Sequence, residues 1–112
     1  GAAAGEAYSA SPVNGEVYAV RVDWHADAPA GTSDIDVVIE GDDNRPEVIL
    51  YAKDNAVTDL WVYPQVQATD TAGAAITGAY QRLLVNGRVK VNIVGCDALT
   101  TAATVYVFVR GC

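Results

Sequence analysis

Apolar and polar residues alternate along most of this chain with a period of two, the signature of half-buried β-strands. From Glu16 to Ala26, Tyr18, Val20, Val22 and Trp24 fall on one face, and Arg21, Asp23 and His25 on the other. Asp34–Glu40 repeats the pattern, with Ile35, Val37 and Ile39 directed inward and Asp34, Asp36 and Glu40 outward. Ala79–Val85 and Arg88–Val94 read as further strands, the second with Val89, Val91 and Ile93 facing in. Leu60–Thr69 puts Trp61 and Tyr63 on one face and Leu60, Val62 and Val66 on the other, and Pro64 places it at an edge or a bulge. Two segments, Glu47–Lys53 and Ala103–Arg110, are apolar on both faces and predict central or contact strands.

Turn-forming residues punctuate these runs. Residues 1–14 read as an N-terminal arm, with a short strand around Tyr8, ending at the turn pair Asn14-Gly15. Loops are expected over Asp27–Ser33, Gly41–Pro46, Asp70–Gly78 and Gly95–Ala102, the last with Asp97 as a helix N-cap. Asn86-Gly87 is the strongest short hairpin signal in the chain. Nowhere does an amphipathic helix of useful length emerge.

Seven or eight strands with no helix predict an all-β antiparallel sandwich of two packed sheets, jelly-roll-like, with arm 1–14 followed by a single domain over 15–112. An immunoglobulin-like arrangement fits the strand count, but both cysteines lie late in the chain and do not bracket a core tryptophan. The 112 residues suffice for one hydrophobic core.

Charge and cysteine content narrow the function classes. A net charge of −7 with seven scattered basic residues argues against nucleic acid as a partner. No apolar run approaches the ~20 residues that cross a bilayer as a helix, so no membrane partner is expected. Residues 1–14 show no signal-peptide pattern. If the last two strands form a hairpin, Cys96 lies at its loop and Cys112 at its open end, beyond disulfide reach, which predicts free thiols and a reducing compartment.

Candidate chemistry is sparse. The single His25 shares a strand face with Asp23, and Ser or Thr lie nearby, but nothing in the sequence marks the pocket or oxyanion hole that a triad needs, so no catalytic residue is assigned. Asp34, Asp36, Asp42 and Asp43 lack the spacing of a calcium loop and read as a solvated acidic edge, and two cysteines with one histidine do not make a zinc set. No cofactor is expected. Trp61 and Tyr63 form either a flat aromatic platform of the kind that binds sugars or proteins, or part of the core. The two doubly apolar strands carry more apolar surface than one core needs, which points to subunit or partner contact or to a strand covered by the N-terminal arm.

Two stretches carry a resemblance. Gly15–His25 (GEVYAVRVDWH) with its following Ala/Pro loop, and Val91–Thr100 (VNIVGCDALT) with the valine-rich strand after it, are similar to the opening and close of small virion proteins of tailed bacteriophages. The likeness extends over most of residues 15–110. It implies a structural protein of the particle, in first place a capsid decoration or cement protein. Such a protein binds the major capsid protein of the mature head, acts as a dimer or trimer, and sits on the capsid surface after assembly in the host cytoplasm. Under that reading Trp61, Tyr63, Tyr106 and Phe108 are the expected contact aromatics, and the arm around Tyr8 the strap. A sugar-binding or adhesin module using Trp61 and Tyr63 is the alternative, and a tail or head-fibre component a third.

Overall fold

The computed structural model describes residues 3–25, 33–42, 44–56, 58–96 and 103–111. Among these residues there are nine strands and no helix. They are β1 (Ala3–Tyr8), β2 (Val13–Trp24), β3 (Asp34–Ile39), β4 (Val48–Lys53), β5 (Leu60–Val62), β6 (Gln65–Thr69), β7 (Ala75–Gly87), β8 (Val89–Cys96) and β9 (Ala103–Gly111). Two antiparallel sheets pack face to face. The first runs β1-β8-β3-β4. The second is organised on β2, which pairs with β9 along one edge and with β7 and then β5 along the other, while β6 pairs with β7.

The core lies between the sheets and is built from the inward residues of the alternating strands. Val17, Val20 and Val22 of β2 meet Ile35, Val37 and Ile39 of β3, all essentially without solvent exposure, and Trp24, Leu50, Ala56, Val85, Val89 and Ile93 complete the cluster. Val105, Val107 and Val109 of β9 pack against it from the side. Each such side chain taken fully out of water contributes about 1.5–3 kcal/mol, and β-branched residues suit the pleated surface.

Several local expectations give way to long-range pairing. Asn14-Gly15 is not a turn but lies inside β2, where Gly15 pairs with Val85 on one side and Gly111 on the other. The expected hairpin at Asn86-Gly87 is instead a crossing between sheets. β7 hydrogen-bonds β2 through Val85 and Gly87, whereas β8 hydrogen-bonds β1 and β3, so both flanks have better partners than each other. Gly87 serves close approach: a Cβ there would lie 3.0 Å from both the Glu40 carbonyl oxygen and Ile39 Cγ2. The chain also crosses sheets between β1 and β2, and Ser9 ties the two crossings together. Its N–H donates to the Val89 carbonyl (2.9 Å), and its Oγ accepts the Val89 N–H (3.0 Å).

β8 and β9 likewise belong to different sheets, so the hairpin from which free thiols were inferred does not exist. The Cys96 side chain and Cys112 lie outside the described residues, as do most of the expected loops at 27–33 and 95–102. The strand expected over Leu60–Thr69 is two strands, broken at Tyr63-Pro64, because proline has no N–H for a ladder; this raises the count from eight to nine. Leu60 and Val62 face the core, leaving Trp61 outside. Glu47–Lys53 contributes β4, an edge strand with Ile49 60% exposed. The segment expected as an arm holds β1, which lies along β8 with all its described side chains exposed.

The expected loop at Asp70–Gly78 shrinks to a tight tip. Asp70 Oδ1 accepts the N–H groups of Ala72 and Ala74, and the Asp70 N–H donates to the Ala74 carbonyl, so β7 already begins at Ala75. Residues 75–82 of β7 pair only with β6, and residues 83–87 only with β2, so β6 and the first part of β7 form a two-stranded ribbon projecting from the sandwich. The radius of gyration, 15.2 Å, reflects this elongation; a compact chain of this length has about 13 Å.

Candidate interaction surface

The outer face of the second sheet is where the aromatic residues gather. A register shift between Val17 and Ala19 places one extra residue in β2 against β9. That bulge turns Tyr18 outward, 41% exposed, although simple alternation would bury it with Val20 and Val22. Ala19, opposite Phe108, is small and buried, and the rings close over it. Trp61 and Phe108 stack with centroids 5.5 Å apart and planes 26° apart, and Phe108 meets Tyr18 at 6.0 Å in a tilted contact.

One row along the sheet from Phe108, register sets Arg21 between Tyr106 on β9 and Trp61 on β5. The Arg21 guanidinium lies 5.7 Å from the Trp61 ring centroid, and that of Arg82 lies 5.9 Å from Tyr18. Both cations have carboxylate partners: Arg82 meets Glu16 at 2.9 Å, and Arg21 meets Asp59 at 4.0 Å. Asp59 Oδ1 also accepts the Trp24 N–H at 2.7 Å, which fixes β5 to the end of β2. The result is a strip of Tyr18, Phe108, Trp61 and Tyr106 flanked by paired charges. Trp61 and Tyr106 are about half exposed. Flat amphipathic aromatics flanked by arginine are what protein contact surfaces are enriched in.

The five expected contact residues therefore do not make one patch. Trp61, Tyr106 and Phe108 share the strip. Tyr63 follows the end of β5 and is 66% exposed, and the ring partner of Trp61 is Phe108, not Tyr63. Tyr8 belongs to the first sheet, paired with Lys90. Arg88 and Lys90 place cations 4.7 and 6.0 Å from its ring, and its hydroxyl donates to Glu6 Oε2 at 2.9 Å. The hydrogen bond to Glu6, then burial, holds the Tyr8 phenol above its usual pKa. Tyr18 is the member that alternation misplaces; Arg21 is set on the outward face by alternation, but neither it nor Arg82 is among the expected contact residues. The one local signal was the unbroken run Val17-Tyr18-Ala19-Val20, where apolar residues occupy both faces.

The projecting ribbon adds exposed apolar groups, Val66, Ile76 and Tyr80, and Leu84 follows where β7 joins the sheet. Elsewhere the polar groups serve the turns. Asp42 Oδ1 accepts the N–H groups of Asn44 and Arg45, and Oδ2 meets the Arg45 guanidinium at 3.2 Å; these bonds hold the Asp42 carboxyl below its ordinary pKa. Asp34 Oδ1 accepts the Asn55 N–H. Asp43 lies outside the described residues, and among those described no three His, Cys, Asp or Glu side chains gather as a metal site would require. Asp23 and His25 are exposed at the end of β2. A groove of about 380 Å³ opens between Ile39, Pro46, Val48 and Leu84, with Glu40, Arg45, Asn14 and Asn86 at its polar side. Its lining offers shape and hydrogen bonds, with no serine, cysteine or histidine to act as nucleophile or base. The chain matches no protein-family model, no curated protein and no solved structure.

Proposed function

We propose that this chain is a structural component of a tailed-bacteriophage particle, in first place a decoration protein that binds the mature head lattice and stabilises it across capsomer contacts. The observation that carries the proposal is the aromatic strip on the outer face of the second sheet, an exposed apolar surface that the chain's own core does not use. The likeness of residues 15–25 and 91–100 to small virion proteins supplies the kind of partner, the major capsid protein. A jelly-roll-like winding is part of the same reading. It is supported by the way β1-β2 and β8-β7 run as one paired ribbon across both sheets. Stabilisation would be thermodynamic: a protein that binds only the mature lattice lowers the free energy of that state by mass action, and many repeated weak contacts suffice.

The sugar-binding alternative has one observation in its favour, the exposed Trp61 indole. Phe108 stacks on that ring and Arg21 lies against it, which leaves less of it open than a bare platform offers. The test is co-sedimentation of the chain with mature heads stripped of accessory proteins. Saturable binding at a fixed ratio to the major capsid protein is expected. Replacing both Trp61 and Tyr106 with alanine should weaken it at least about tenfold, in line with aromatic anchors of an interface. A chain that stays in the supernatant defeats the lattice reading, and a glycan screen against the Trp61 face then follows.

A further inference from the structure

A sheet edge left unpaired is a template for another strand, and monomeric proteins blunt such edges with short strands, prolines, bulges or charges. Among the described residues the edges of this sandwich are blunted, with one exception. The part of β7 that pairs only with β6 has an open second edge, but Gly78, at a φ of 81°, interrupts it. β5 has three residues and runs into Pro64, and β6 is irregular at its pairing with β7. β1 has six residues including Gly5 and Glu6, and β4 has six and ends on Lys53. β9 has nine residues, no proline or acid, and a single charge, Arg110. Among the described residues it pairs only with β2, and no described strand lies along its outer edge, about 30 Å long at the strand repeat.

We infer that β9 pairs antiparallel with β9 of a second copy of this chain, about a two-fold axis through Val107. A two-fold axis requires a self-complementary strand, and this register provides one. It sets Val107 against Val107, Val105 against Val109, and Tyr106 against Phe108. The inner valine row then continues from one copy to the next. On the outer face the two aromatic strips, each of which runs to the free edge through Tyr106 and Phe108, merge into one surface.

The charges agree with the same register. Thr104 and Arg110 lie on the outer face, opposite Asp23 and Glu16 of β2 respectively. Pairing about Val107 sets Arg110 beside Thr104 of the second copy, with that copy's Asp23 one strand further on. Each end of the interface thus reads acid, neutral, base, acid across four strands, with no like charges adjacent. Centring the pairing on Arg110 instead would put two arginines face to face. The inference concerns the free chain and does not depend on the lattice reading.

The experiment is sedimentation equilibrium of the full chain in reductant, so that no disulfide contributes. The wild type is expected to be a dimer at micromolar concentration. Thr104→Lys sets an ammonium group against Arg110 of the second copy twice over, by symmetry, and should raise the dissociation constant about tenfold. Adding Arg110→Glu to Thr104→Lys restores attraction only in this register, and should recover most of the affinity. Circular dichroism melts confirm that each variant is folded. A wild type that remains monomeric to about millimolar concentration, or a dimer indifferent to Thr104→Lys, overturns the inference. So does a folded double variant that fails to recover.

Discussion

Gly15 is the residue on which the second sheet depends most directly. It sits between β7 and β9, with a φ of 150°, in a region where side chains are rarely tolerated. A Cβ built on it would run into the Arg110 carbonyl oxygen, a clash that no rotamer relieves because the obstacle is backbone. Gly15→Ala is therefore expected to cost about 2–4 kcal/mol, combining backbone strain with overpacking. Urea unfolding measures it, and a loss below about 1 kcal/mol would mean that β9 shifts freely away from β2. The same position shows what the sequence conveys and what it conceals. Asn14-Gly15 has the composition of a turn, and the local preference is real. Yet the glycine is required by a strand that arrives from the far end of the chain. Tyr18 teaches the same lesson: strict alternation buries it, and the bulge that exposes it exists only once β9 lies alongside.

At the scale of elements, strands whose neighbours share their pattern were legible. β3 matches its expectation closely, because Ile35, Val37 and Ile39 alternate cleanly and pack against an equally regular β2. Errors concentrated where two solutions satisfy the same local chemistry. Asn86-Gly87 suits a hairpin and a sheet crossing alike, and the decision lies with the non-local partners of Val85 and Val89. The aromatic strip was half visible: Trp61, Tyr106 and Phe108 could be named, but their meeting over Ala19 is a matter of register across β5, β2 and β9. The β6–β7 ribbon was legible in part: residues 65–69 and 79–82 read as strand, but the pairing of the two and the start of β7 at Ala75 were hidden in what read as a loop of polar and small residues. A lone two-stranded ribbon is marginal in water, and among the described residues this one is braced by its Asp70 tip, by the Gln67 side-chain amide donating to the Ile76 carbonyl, and by its root in the sheet. Val66 and Gln81 face each other across it. Removing residues 67–80 and closing that pair with Asn-Gly should leave the melting temperature within about 3 °C, since the excised side chains bury little and surface changes are small in energy. A larger drop by differential scanning calorimetry would show that the ribbon braces the sandwich.

For the whole molecule, the decisive feature is that its two ends are paired to each other. β1 lies on β8 and β2 on β9, so the first and last quarters of the chain close both sheets together. The two N-terminal strands differ sharply in what they bury. β1 exposes its described side chains and offers mainly ladder hydrogen bonds, each of modest net value, whereas β2 contributes Val17, Val20, Val22 and Trp24 to the core. At the other end, β9 packs Val105, Val107 and Val109 against that core and runs along β2 from Gly15 to Trp24. Deleting residues 1–8 should therefore lower stability by about 1–2 kcal/mol, a fall of about 5–10 °C in melting temperature with the transition still cooperative. Deleting residues 103–112 removes three core-packed valines and strips one edge of β2. These valines are half-buried, so each contributes somewhat less than the about 1.5–3 kcal/mol of full burial; together with the lost β2 ladder the sum still approaches the stability of a domain this size, and no cooperative melt should remain. Circular dichroism on the two truncations separates these outcomes. If the chain without β9 melted as sharply as the one without β1, β2 would be held by β7 and β5 alone. The valine face of β9 would then be surface rather than core.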